Sequence, residues 1–109
     1  MHVCFLMRRG RHAEAQQTLA SLIELNKFSI KHNNLLSLMY YTVLERPKLG
    51  RKYFAVSQRV RLKQLGLLPN KNDKRFILGT EKLPMLSDEQ NDELWMETIK
   101  YLCDNCFHE

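Results

Sequence analysis

The residues best suited to recognition chemistry are five cations, Lys48, Arg51, Lys52, Arg59 and Lys63, that follow Pro47 in one stretch. At 100° per residue, Lys48, Lys52, Arg59 and Lys63 form a helical stripe about 60° wide. Leu49, Tyr53, Val56, Val60 and Leu67 form an apolar stripe of similar width beside it, which is the pattern of a basic amphipathic helix. Such a surface suits an acidic protein partner. It also suits nucleic-acid phosphates, which reward several cations on one face, with Tyr53 and Phe54 available to stack on bases and Lys71, Lys74 and Arg75 extending the charge. No helix-turn-helix spacing, RNA-recognition aromatic motif or zinc finger accompanies the stripe. Protein binding is therefore the leading reading, and nucleic-acid binding through the basic helix 47–68 the alternative.

The other reactive side chains point to less. Cys103, Cys106 and His108 are three soft ligands within six residues, but a structural zinc site takes four, and Cys4, His2, His12 and His32 lie far away in sequence. Phe107 separates Cys106 from His108, so the segment is not a haem-attachment motif, and no βαβ setting supports a redox pair. Asp88-Glu89 and Asp92-Glu93 sit at a helix start, where the dipole explains them. His32, beside Asn33-Asn34, reads as a surface or capping residue. There is no strained nucleophile turn, HExxH or phosphate-cradling glycine loop, so neither an enzyme nor a cofactor is expected.

The elements that must position the basic stripe follow from periodicity and from start and stop signals. Gly and Pro are scarce, helix-forming residues dominate, and no alternating strand pattern stands out, which indicates an all-α fold. His2 to Arg9 reads as the last turns of a helix closed by Gly10. Ala13 to Leu25 follows, with Ala15, Leu19, Leu22, Ile23 and Asn26 on one face. The chain is organised around Asn33 to Leu68, read as a helical hairpin. Its first half is apolar on nearly every side, from Leu35 to Leu44, with Ser29 or Asn33 as the N-cap. Pro47 then opens the basic helix, Gly66 caps it and Pro69 stops it. Pro69 to Pro84 is a connection in which Phe76-Ile77-Leu78 forms an apolar anchor. Ser87-Asp88-Glu89-Gln90 is a capping box that starts a final acidic helix, with Leu94, Trp95, Thr98, Ile99 and Leu102 inward.

Gly10-Arg11-His12-Ala13-Glu14-Ala15, followed by Leu19 and Leu22-Ile23-Glu24-Leu25-Asn26, resembles the second half of a tetratricopeptide repeat over roughly 17 residues. His12 stands where that family usually has an aromatic, and Lys27-Phe28 stand where it has a proline. The resemblance implies antiparallel helical hairpins whose usual business is binding other proteins.

Charge divides the chain. Up to Leu86 there are sixteen Lys and Arg against five acids, a balance of +11, whereas Ser87 to Glu109 carries −6, giving the net +5. This asymmetry suits an acidic partner or docking of the acidic tail on the basic body. No apolar run approaches the roughly 18 residues of a membrane span, and the N-terminus turns basic too soon for a secretory signal. Those two features read as an intracellular, cytoplasmic setting, with the nucleus as the alternative, and three cysteines in a chain that is 44% hydrophobic suggest reduced thiols.

The expectation is one all-α domain over residues 1–109 with four to five helices packed as antiparallel hairpins. It is tetratricopeptide-like in its first half (hairpins over 1–68, a connection over 69–86) and closed by an acidic helix over 87–106. The function expected is non-catalytic protein binding, as an adaptor, assembly subunit or small chaperone, in a homo- or hetero-oligomer that covers the apolar face of His2 to Leu25. Its binding residues would be Lys48, Arg51, Lys52, Arg59 and Lys63, with Tyr53 or Trp95 as aromatic anchors.

Overall fold

A computed structural model describes residues 3–67 and 85–105. They form five helices and no strand: α1 (Val3–Arg8), α2 (His12–Leu25), α3 (Ile30–Tyr41), α4 (Pro47–Gln64) and α5 (Asp88–Asn105). The all-α expectation is met. The Phe76-Ile77-Leu78 anchor and the cations Lys71, Lys74 and Arg75 lie outside the described residues.

Local sequence sets the boundaries. Gly10 takes φ +71° after α1, and the bonds Gly10 N–H to Met7 O and Arg11 N–H to Leu6 O complete a Schellman motif. Gly66 (φ +69°) ends α4 in the same way, with Gly66 N–H on Lys63 O and Leu67 N–H on Leu62 O. Ser29 is the N-cap of α3, its hydroxyl accepting from His32 N–H. Pro47 occupies the first turn of α4, where its missing N–H has no helical acceptor to serve. Ser87 and Gln90 exchange both capping-box bonds ahead of α5, at 2.9 and 3.2 Å.

Helix α3 is the hub, touching α2, α4 and α5. Leu35, Leu36 and Met39 are fully buried along it and share one core with Leu6, Ala15, Leu19 and Leu102. Burial of this kind stabilises by about 1.5–3 kcal/mol per large aliphatic side chain. A second, smaller cluster joins Leu62, Leu86 and Leu94, with Ile30 and Phe54 packed against it. The apolar face of α2 packs inside its own chain, Ala15 and Leu19 having no exposure at all. Leu22 and Ile23 beside them are only partly buried, and Leu25 is exposed.

Helices α3 and α4 run antiparallel and approach closely where their side chains are small. Ser37 Oγ donates to Gly50 O at 2.6 Å and Ser57 Oγ to Ile30 O at 3.4 Å. Gly50, Ser57 and Leu62 are the buried residues of α4, whereas Leu49, Tyr53, Val56 and Val60 are only partly buried and Leu67 is exposed. The helix is thus turned away from the inner face expected from its apolar stripe. Hydroxyls and a glycine permit the tighter contact, and they carry no hydropathy signal.

On its other flank α3 meets α5 through a buried amide. Asn34, with no exposure, donates from Nδ2 to Thr98 Oγ1 at 3.1 Å and to Leu94 O at 3.3 Å. An aromatic chain closes the far end. Trp95 stacks on Phe54 at 4.4 Å and meets Tyr41 edge-on at 6.2 Å. Such pairs contribute about 0.5–1.5 kcal/mol each beyond their buried area.

Cys4, buried in α1, is disulfide-bonded, while Cys103 is a free exposed thiol. The expectation of reduced thiols is corrected at Cys4. No helix among the described residues is long and apolar enough to cross a membrane.

A Cβ built on Gly50 meets three Tyr41 ring atoms at 3.0 Å. Gly50→Val should therefore lower stability by about 1–3 kcal/mol through overpacking, measured by urea unfolding. An unchanged midpoint would show that the α3–α4 approach is not as tight as described.

Candidate functional site

Lys48, Arg51, Lys52, Arg59 and Lys63 are all exposed on α4, and none takes part in an ion pair among the described residues. Lys48, Lys52, Arg59 and Lys63 share one stripe, while Arg51 lies about 60° outside it, on the side turned toward α5. The acidic helix does not neutralise the stripe. It engages Arg61 instead, whose Nη2 lies 2.8 Å from a Glu97 carboxylate oxygen, with Gln58 Nε2 donating to Asn91 Oδ1 beside it at 2.8 Å.

Beside the stripe lies a groove of about 330 Å³ lined by Phe28, Ala55, Val56, Arg59 and Val60. Phe28 comes from the turn between α2 and α3 and is 69% exposed, and Leu25 nearby in sequence is 85% exposed. An apolar floor next to unpaired cations is the combination that amphipathic acidic segments recognise. The partly buried Val56 and Val60, expected inside, are instead walls of this groove.

The two expected aromatic anchors are occupied elsewhere. Tyr53 stacks on buried Tyr40 at 5.6 Å, and burial, followed by the adjacent Tyr40, pushes its phenol pKa upward. Trp95 packs on Phe54, which points about 160° away from Val56 around α4, so the indole and the groove lie on opposite sides of the helix. Phe28 is the aromatic that the structure brings to the cations. Its sequence signal was a large apolar residue in a polar turn, next to Lys27.

His32 is half-buried on α3. Burial first, and then the neighbouring Lys31 charge, hold its pKa below 6.5. Its Nδ1 is buried without a hydrogen-bond partner. Among the described residues no group of three or more His, Cys, Asp or Glu is assembled into a metal-binding cluster. Cys106 and His108 lie outside those residues.

Comparison of the chain with protein-family models, with curated proteins and with solved structures yields no match.

The contrast between Arg59 and Arg61, two residues apart on α4, is measurable. Arg59→Glu should leave thermal stability within about 0.5 kcal/mol, as for exposed sites. Arg61→Glu places a like charge against Glu97 and should lower it by about 1–2 kcal/mol in thermal or urea unfolding. Equal effects would show that the cationic stripe is engaged internally.

For His32 the neutral form is favoured on folding, so the unfolded chain binds more protons just below pH 6.5. Stability conferred by the neutral ring is present above that pH and is lost as pH falls from 6.5 through the folded-state value. His32→Gln should flatten this slope in urea melts between pH 7.5 and 5. A slope unchanged by the substitution would assign it to other groups.

Proposed function

We propose that this chain is a non-catalytic protein-interaction module, acting as an adaptor, assembly subunit or small chaperone. Its α4 groove would seat a partner's acidic amphipathic segment. The observation that carries this reading is the pairing of exposed Phe28 and half-open Val56 and Val60 with cations that lack an acidic partner among the described residues. Apolar side chains of a partner would fill the floor, and its carboxylates would meet Arg59, Lys52 and Lys63. The aromatic would supply most of the affinity, and the charges orientation and encounter rate. The resemblance of residues 10–26 to a tetratricopeptide-repeat helix supports the same reading, since that family binds proteins with stacked helical hairpins.

Affinity capture from native lysate, followed by identification of the retained proteins, tests this directly. A specific protein should be held by the wild-type chain, lost with Phe28→Asp and weakened about tenfold or more with Arg59→Glu, while both variants keep wild-type helicity. Retention indifferent to both substitutions would overturn the groove as the site. Capture of DNA or RNA, released steeply by salt, would replace protein binding with nucleic-acid binding.

A further inference from the structure

Helix α5 turns a second face to solvent. Asp92, Met96, Ile99 and Cys103 fall within about 60° of one another at 100° per residue. All four are exposed, Met96 at 61% and Ile99 at 44%. Asp88, Glu89 and Glu93 flank this stripe and are exposed as well. None of these four acids is in an ion pair among the described residues, and Lys100 is the one cation in the helix. Exposed hydrocarbon framed by carboxylates makes this face an acidic amphipathic surface. The α4 groove offers the complement, with Phe28, Val56 and Val60 beside Lys52, Arg59 and Lys63.

We propose that the occupant of the groove is a second copy of this chain, the outer face of α5 in one molecule seated against Phe28 and the α4 cations of the next. This assignment rests on the groove reading above and names its partner. Its argument is charge complementarity. Unpaired carboxylates meeting unpaired cations gain attraction, whereas two basic stripes or two acidic helices face to face would repel. Met96 and Ile99 bring the hydrocarbon that covers Phe28 and the two valines. A molecule does not satisfy its own groove. Its α5 is held on the Phe54 and Arg61 side of α4 by the Trp95 stack and the Glu97 ion pair, about 160° around that helix from Val56. The two surfaces therefore lie on different sides of the molecule, and the contact runs head to tail. A contact between unlike surfaces leaves one of each open at the ends, so it propagates or closes into a ring instead of stopping at a two-fold dimer.

Sedimentation velocity on the full-length chain carrying Cys103→Ser, which removes the exposed thiol and its intermolecular disulfides, tests the contact. Average mass should rise with protein concentration and fall with added salt. Phe28→Asp should disable the groove and Met96→Asp the α5 face, each weakening association about tenfold or more. Both side chains are mainly exposed, so both variants keep wild-type helicity. Mixed together, they should form a one-to-one complex and nothing larger, since each retains the surface that the other lacks. Association unchanged by either variant, or a mixture that stays monomeric or grows past a pair, would overturn the assignment. The two readings fail separately. A chain monomeric at every concentration overturns self-association, while lysate capture that is lost with Phe28→Asp would still support the groove.

Discussion

Where α3 crosses α4, little more than a hydroxyl separates two backbones. Ser37 spans the gap to the Gly50 carbonyl, Ser57 spans a second gap near the start of α3, and Tyr41 lies flat enough over Gly50 to leave no room for another carbon. Two helices joined by five residues can pack in many rotational settings, and these contacts select one. Once α4 is turned so that Gly50 and Ser57 face α3, the rest is determined. Phe54 and Leu62 turn to α5, Tyr53 slides under Tyr40, and the basic stripe faces solvent. The exposed basic face is therefore set by residues that are not part of it.

Charge follows the same geometry. The acidic helix docks through neutral contacts for the most part: the stacked indole, the Leu62–Leu86–Leu94 cluster and a glutamine–asparagine bond. Its one ion pair with α4 among the described residues uses Arg61, which lies on the docking side. The cations around Arg59 are half a helical turn away and form no ion pair among the described residues. Internal docking and an open basic face thus coexist, because the two occupy different sides of one helix.

How far this could be read in the amino-acid order depended on whether a residue signals locally. Gly10, Ser29, Pro47, Gly66 and the Ser87–Gln90 box each dictate a backbone event within a few residues, and the structure places the helix ends there. The inner faces of α2 and α5 were legible too, since Leu19, Leu94 and Leu102 are large and periodic. The rotation of α4 was not. Its contact residues are glycine and serine, which a hydropathy pattern counts as solvent-facing, and the apolar stripe that carries Val56 and Val60 does not mark its most buried side. Phe28 was missed as a site residue for the opposite reason. It belongs to no periodic segment, and only the fold shows that its turn lies beside α4.

The amide of Asn34 has a further effect on how the last helix arrives. Its two donors find acceptors on α5 that are one turn apart, and a slip of α5 by one turn, about 5.4 Å, would carry the Thr98 hydroxyl out of reach of one of them. Leucine at this position would tolerate several alignments, whereas the amide tolerates one. Sixty residues separate the partners, so α5 closes the molecule across a long loop and is held in a single register when it does. The seam between α3 and α5 therefore behaves as a keyed joint: closed or open, with no stable half-engaged setting between.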